Sequence, residues 1–323
     1  MSSDYQNGLI WMDGRLVPWH SANVHMLSHT IHHGTGVFEG VRAYETPAGT
    51  AIFRLQDHTS RLFRSAHILQ IELPYDTQTI NAALCEVVRI NEYRECYIRP
   101  IVYLGAEPLG ISLRGQSVHV AVAAWPWPAC YGTEAQHDGI RVRTSSFSRH
   151  HVNSVMIHAK ASGHYLNSVM ANHEALRDGY DEALMLDTQG YAAEGATENL
   201  FIVRNEALLT PEAANVLEGI TRDTIIALAR DRGLSVAEKR ITRDEIYSAD
   251  EAFFTGTAAE VIPIRELDRR RIGTGQPGSI TRALQEDFLA TVRGRNRAHS
   301  HWLTPVSAAR GATSPWPWPA SNE

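Results

Sequence analysis

Residues 158–168 read His158-Ala159-Lys160-Ala161-Ser162-Gly163-His164-Tyr165-Leu166-Asn167-Ser168, and Lys160 is one of only two lysines in the chain. Of the 30 basic residues, all but Lys160 and Lys239 are arginines. A guanidinium neither forms an imine nor releases its proton near neutral pH, whereas an amine does both. A lysine kept among small uncharged neighbours, with the Tyr165 phenol shortly after it, suits a Schiff-base amine. Genomic base composition would also explain the arginine bias, and Lys239, in VAEKRI, reads as a chance survivor on a strand face.

Other segments offer chemistry of the same kind. Glu194 and Glu198 lie in YAAEGATENLF, where small residues let something flat approach the Glu194 carboxylate; a glutamate beside a pyridine nitrogen is what makes pyridoxal phosphate an electron sink. Two solvated glutamates before a strand is the plainer reading. Gly219-Ile220-Thr221 opens a helix, where unpaired amides and the helix dipole favour a terminal anion. Thr255-Gly256-Thr257-Ala258 offers a second turn with free amides. Arg61, in an amphipathic helix, has the fork to clamp a phosphate. His25, His29 and His33, spaced by four, would line one side of a helix, but the Gly34-Thr35-Gly36 turn follows at once and no carboxylate or thiol lies close. No metal is expected.

The chain has 323 residues, a formal charge of −6, 43% hydrophobic and 20% charged residues. That describes an ordinary globular protein with room for two modest domains. The mild acidity argues against a nucleic-acid partner or a polybasic membrane contact, and no apolar run approaches the roughly 18 residues of a membrane span. MSSDYQNGLIW does not read as a secretion signal, and three scattered cysteines, Cys85, Cys96 and Cys130, fit a reducing cytoplasm.

Local patterns give the organisation. Asp13-Gly14 between two apolar runs signals a hairpin. Helical spacing marks 57–72 and 77–93, and buried strands are expected at 97–103 and 117–125. Pro126-Trp127-Pro128 marks the linker. Beyond it, strands are expected at 139–144, 182–187, 199–204, 208–210 and 252–254, and helices at 162–178 and 222–232, with a Thr242–Glu245 capping box opening another. The expectation is an α+β or mixed α/β protein. Its domains are 1–125 and 138–297, joined by a linker at 126–137 and followed by a flexible tail at 298–323.

Taken in order, HHGTGVFEGVRAY (32–44), the Arg61 helix, YIRP (97–100), AKASGHYLNS (159–168), EGATENLF (194–201), LEGITRD (217–223) and FTGTAAEVIPI (254–264) resemble the branched-chain amino-acid aminotransferases. These are class IV, fold type IV enzymes dependent on pyridoxal 5'-phosphate, and the resemblance runs from about Gly8 to about Val292. It implies an active site between the two domains. Lys160 then corresponds to the catalytic Schiff-base lysine, Glu194 to the partner of the pyridine nitrogen and Tyr165 to the phenol near the cofactor's O3'. Arg61, Ile220, Thr221 and Thr257 correspond to the phosphate cup and Leu217 to the apolar residue on the ring, while Asn199, Gly219 and Gly256 complete the cofactor set. For the substrate, Tyr97, Thr257 and Ala258 match the α-carboxylate site, Phe38 and Trp127 the side-chain pocket, and Arg99 the cation for a second carboxylate. Ile111 corresponds to a loop residue lent by a neighbouring subunit, which implies a homodimer or larger homo-oligomer.

The function implied is transamination of Leu, Ile and Val with 2-oxoglutarate or another 2-oxo acid, in branched-chain amino acid biosynthesis in the cytoplasm. The alternatives are other class IV reactions: a D-amino-acid or (R)-amine transaminase, or an aminodeoxychorismate-type lyase. A non-catalytic scaffold would have little reason to keep Lys160, Glu194 and Tyr165 together. Three positions depart from the family pattern. His33 and Cys130 stand where tyrosines are found, with Tyr131 adjacent to the latter, and Pro128 replaces a glycine. These changes predict weakened use of dicarboxylates, or their recognition through His33.

Overall fold

Asp13 and Gly14 both adopt positive φ, 49° and 82°, and join two strands, Leu9–Met12 and Arg15–Pro18, in a two-residue hairpin. This computed structural model describes residues 6–128 and 130–306. The chain forms two compact units. The first takes the described residues up to Trp127, together with Ala159–Gly163 and the described residues from Val292 onward; the second takes the rest.

In the first unit an eight-stranded sheet runs in the order Leu303–Pro305, Gly49–Phe53, Val41–Thr46, Cys96–Leu104, Val118–Trp125, Leu9–Met12, Arg15–Pro18, with Val37–Phe38 paired to Cys96–Leu104. Two helices, Leu55–Ile68 and Thr77–Ile90, join it. The second is started by the Asp76 carboxylate, which accepts from the Thr79 amide. Its apolar stripe, Ile80, Leu84, Val87 and Val88, is fully buried with Trp11, Val120 and Val122 of the sheet. Each such side chain contributes roughly 1.5–3 kcal/mol of hydrophobic burial.

The lysine segment is stitched into this unit by its backbone. Phe38 N donates to Lys160 O at 3.0 Å, Lys160 N to Ser65 Oγ at 3.0 Å, Ser162 N to Gly36 O at 2.8 Å and Gly163 N to Gly34 O at 2.9 Å. Gly34, at φ 68°, makes the approach possible, since a Cβ there would lie 2.6 Å from Gly163 Cα.

In the second unit the strand order is Ala192–Gly195, Glu182–Leu186, Ile140–Thr144, Glu260–Leu267, Glu251–Gly256, Asn199–Arg204, Ala207–Thr210, Val236–Glu238. A further antiparallel pairing, Glu194 opposite Asn199, joins the first of these strands to the sixth and closes that run into a ring. Helices Tyr165–Arg177, Ile220–Asp231 and Ser279–Val292 lie along the chain between or after the strands. The Thr242 capping box is formed, and Lys239 pairs at the surface with Glu245.

The mixed α/β class agrees with the sequence reading, but the boundaries differ from it. Part of the expected linker is a helix, Gly132–Asp138. Residues 298–306, assigned to a tail on their lost periodicity, include the strand Leu303–Pro305, which pairs with Gly49–Phe53. An edge strand this short carries no alternation to read. Residues 307–323 of that expected tail lie outside the described residues. No helix among the described residues is long and apolar enough to cross a membrane.

Candidate active site

Within the first unit, Lys160 stands between buried Ala159 and Ala161, and its Nζ lies 5.2 Å from the centroid of the Phe38 ring. Behind Phe38 sits a charged cluster that the sequence did not announce. Glu39 is fully buried; Arg61 reaches it with Nε at 2.5 Å from Oε1 and Nη2 at 2.9 Å from Oε2, and His58 Nδ1 lies 2.8 Å from Oε2. Burial alone would raise the Glu39 carboxyl, but the Arg61 charge and the hydrogen bonds from Arg61 and His58 hold it well below the usual carboxylate range. An ionised carboxylate only accepts, so His58 Nδ1 carries the proton of that bond. Burial pushes the His58 pKa down, and the charges of Arg61 and Lys160 oppose a second proton, against the pull of Glu39. Arg61 therefore has two of its donors fixed on Glu39, which orients the rest of the guanidinium.

Three aromatic residues of the sequence reading, Phe38, Tyr97 and Trp127, belong to the same unit. Tyr97 is buried, its ring centroid 5.4 Å from Trp125 and 5.5 Å from Trp127. A Cβ at Gly40 would fall 1.8 Å from the Tyr97 hydroxyl, so glycine there makes room for the phenol. The Arg99 guanidinium lies 4.7 Å from the Phe38 centroid and 5.4 Å from that of Tyr97, donates to the Tyr97 hydroxyl at 3.4 Å, and has a buried Nε without a hydrogen-bond partner. His33 is exposed, 4.4 Å from the ring of His29. The helix that holds them is only His29–His33, so His25 falls outside it and the expected imidazole face does not form. Buried His29 instead shares a 2.9 Å hydrogen bond with Thr35. Ile111 is 83% exposed on a loop.

The second unit holds the other set. Glu194 and Glu198 are both buried, which overturns the solvated-loop reading. Glu194 Oε1 lies 2.7 Å from Arg149 Nη2, while Oε2 accepts from Asn199 Nδ2 and from the Leu217 amide, each at 3.2 Å. The Asn199 amide also donates to Leu217 O at 3.0 Å, so one side chain ties the Glu194 strand to the loop before the Ile220–Asp231 helix. Gly219 is required there, because a Cβ would meet Asn199 Oδ1 at 1.9 Å. As N-cap, Gly219 brings no side chain to the first-turn amides of Ile220 and Thr221, which leaves that helix start suited to an anion. Gly256, Thr257 and Ala258 form the half-buried turn leading to Glu260–Leu267, and the neighbouring Thr255 hydroxyl is buried without a hydrogen-bond partner. Tyr165 is half-buried at the start of its helix.

Cys130 is exposed, whereas the Tyr131 hydroxyl lies 2.8 Å from Glu182 Oε2 and 3.0 Å from Glu198 Oε1. Burial and the neighbouring Glu198 charge push Glu182 up to about 7. The Tyr131 hydroxyl, with one proton to donate, thus lies between two carboxyl groups. Among the described residues no group of three or more His, Cys, Asp or Glu side chains is placed to hold a metal ion.

Comparison with known proteins gives the family. Residues 36–267 match the amino-transferase class IV family. The branched-chain-amino-acid aminotransferase of Pseudomonas aeruginosa is 55% identical over 306 residues, 95% of this chain and 100% of that protein; the one of Escherichia coli K12 is 40% identical over 300 residues, 92% and 97%. A crystal structure of the T.th. branched-chain amino acid aminotransferase with pyridoxamine 5'-phosphate superposes with a TM-score of 0.91 at 48% identity, over 93% of this chain and 99% of that one. The chain therefore belongs to the class IV aminotransferases, with fold type IV architecture. The group within that class which it resembles along nearly its whole length is the branched-chain-amino-acid aminotransferases.

Proposed function

We propose that this chain moves the amino group of Leu, Ile and Val to 2-oxoglutarate or another 2-oxo acid, with pyridoxal 5'-phosphate as coenzyme. The observation that carries this reading is the Lys160 amine, fixed by backbone hydrogen bonds on both sides and set beside Phe38 near the Glu39–Arg61 pair. The residues present suit the coenzyme: an amine for its aldehyde, a guanidinium and an uncapped helix start for its phosphate, and a buried carboxylate for its ring nitrogen. When bound, pyridoxal phosphate supplies an electrophilic carbon and a ring that takes up the electron pair left at Cα.

The chain's residues do the rest. With the coenzyme bound, Lys160 would be the group that takes up and returns the Cα proton of the amino acid. Arg61, steadied by Glu39 and His58, would bind the phosphate with the amides of Ile220 and Thr221 and the hydroxyls of Thr221 and Thr257. Glu194 and Asn199 would hold the ring nitrogen, with Leu217 against the ring and Tyr165 as the phenol for its oxygen. Tyr97 and the Thr257–Ala258 turn orient the α-carboxylate, and Phe38 and Trp127 favour apolar side chains through burial. Arg99, with its buried unpartnered Nε, is the cation for the distal carboxylate of glutamate.

The exposed Ile111 is assigned to the site of a second copy, which makes the working form a homodimer or larger assembly. Three scattered cysteines go with a cytoplasmic setting. The test is spectroscopic and chemical together. Purified protein given pyridoxal phosphate shows a visible absorption band that Lys160→Ala lacks, and it forms glutamate from leucine and 2-oxoglutarate. A band that survives in Lys160→Ala, or no amino transfer from leucine, valine or isoleucine to any 2-oxo acid, overturns the reading.

A further inference from the structure

Arg149 lies outside every sequence motif singled out above, yet its Nη2 comes within 2.7 Å of Glu194 Oε1. It arrives from the segment after the Ile140–Thr144 strand. Its own backbone amide donates to Leu186 O at 2.7 Å, which pins it to the end of the strand that pairs with the Glu194 strand. Both side chains are 8% exposed. The Arg149 Nε is buried and makes no hydrogen bond, so the cation is held where one of its donors goes unmet. An orphaned buried donor costs stability, and a buried ion pair is a weak source of it. Fold stability alone therefore gives little reason for a guanidinium at this place.

The chemistry of the carboxylate gives a better one. A carboxylate that faces a ring nitrogen can either leave the shared proton on the nitrogen or take it. Burial favours taking it, because the charged carboxylate is disfavoured in a low dielectric. A cation in contact with Oε1, together with the two neutral donors on Oε2, reverses that preference. Arg149 touches the carboxylate itself, so its attraction for ionised Glu194 outweighs its repulsion of a proton lying beyond it. His150, next in the chain, has its pKa lowered by burial and by the Arg149 charge, which disfavours a second positive charge on that side chain.

We propose that Arg149 is the positioning residue of Glu194: it keeps this carboxylate ionised and aimed, so that the proton shared with the coenzyme stays on the ring nitrogen. The inference rests on the Glu194 assignment above and deepens it. A protonated ring is the stronger electron sink, so Arg149 acts on the chemical step without touching the substrate. Its loss should lower kcat more than it raises KM, by about 10-fold to 100-fold, the range seen when the outer partner of an active ligand is removed.

The experiment uses holoenzyme loaded with coenzyme labelled at the ring with 15N, whose shift reports ring protonation directly, recorded across pH for the wild type, Arg149→Met, Arg149→Lys, Glu194→Gln and the double variant R149M/E194Q. Arg149→Gln serves in place of R149M if the latter does not fold. The wild type and Arg149→Lys should show a protonated ring, and R149M a signal moved toward the unprotonated ring. E194Q should be unprotonated whatever stands at 149, so that R149M adds nothing in its background. If E194Q moves the signal and R149M leaves it as in the wild type, whatever its melting temperature, the Arg149 proposal falls alone. If E194Q leaves the ring protonated, the Glu194 assignment falls and takes this proposal with it.

Discussion

The two units bury carboxylates in opposite ways. In the first, Glu39 is surrounded by a guanidinium and an imidazole N–H, and it remains ionised at the cost of ordering three side chains. In the second, Glu182 and Glu198 share the hydroxyl of Tyr131, and burial and the Glu198 charge push the Glu182 pKa up to about 7. The first arrangement fixes a charge that then orients Arg61. The second fixes a proton. Desolvation is the same adverse force in both, and the neighbour decides whether the carboxyl answers by pairing or by protonation.

The largest effect should come from Glu39→Gln. It strips the charge from a buried pair and leaves Arg61 uncompensated, a loss of about 3–5 kcal/mol, read as a drop in melting temperature together with weaker retention of pyridoxal phosphate. A variant that melts and binds coenzyme like the wild type would dissolve the contrast between the units.

The next prediction concerns pH. Glu182 has a folded-state pKa of about 7 against an ordinary 4.5, so the folded chain holds that proton longer than the unfolded one. Its stabilising contribution is complete below about 4.5 and is lost as pH rises through 7. Glu182→Gln should flatten the melting temperature between those limits. Glu39 and His58 have the opposite sign. His58, depressed below its ordinary 6.5, costs stability as acid forces a proton on it, and Glu39 loses its contribution only on strong acidification below 4.5. His58→Gln should therefore remove an acid-side slope and leave the alkaline one.

Gly219→Ala should cost about 1–3 kcal/mol through overpacking, since the new Cβ must displace Asn199 and with it a donor to Glu194. Coenzyme affinity should fall alongside the melting temperature, and normal affinity would show that Asn199 is dispensable. The smallest effect belongs to His33→Tyr. If His33 weakens dicarboxylate recognition, the variant should shift the glutamate-to-alanine donor ratio toward glutamate a few-fold, about 1 kcal/mol, and leave stability unchanged. An unchanged donor ratio removes His33 from substrate selection.

What could be read in the sequence was what is local. The Asp13-Gly14 turn, the Thr242–Glu245 capping box and the apolar stripe of the 77–90 helix each lie within a few residues and have one physical meaning. The glycines of HHGTG were visible, but the reason for Gly34 lies at Gly163, far along the chain. Glu39 meets His58 and Arg61 across about twenty positions, and the only hint was a histidine and an arginine three apart on one helix, next to a conspicuous FEG. Arg149 had no pattern around it, because its meaning depends on the strand pairing that brings Glu194 beside it. Tyr131 could not be placed from its adjacency to Cys130, because its partners, Glu182 and Glu198, lie more than fifty positions away.

The Ala159–Gly163 stitch constrains how such a protein can be taken apart. The Lys160 amine rides on five residues that belong with the first unit, although the chain on either side of them belongs to the second. No cut that yields two contiguous gene fragments can therefore carry each unit whole. Any recombination that exchanges one unit between relatives must also transplant this short insert, or it inherits a lysine shaped for a different host.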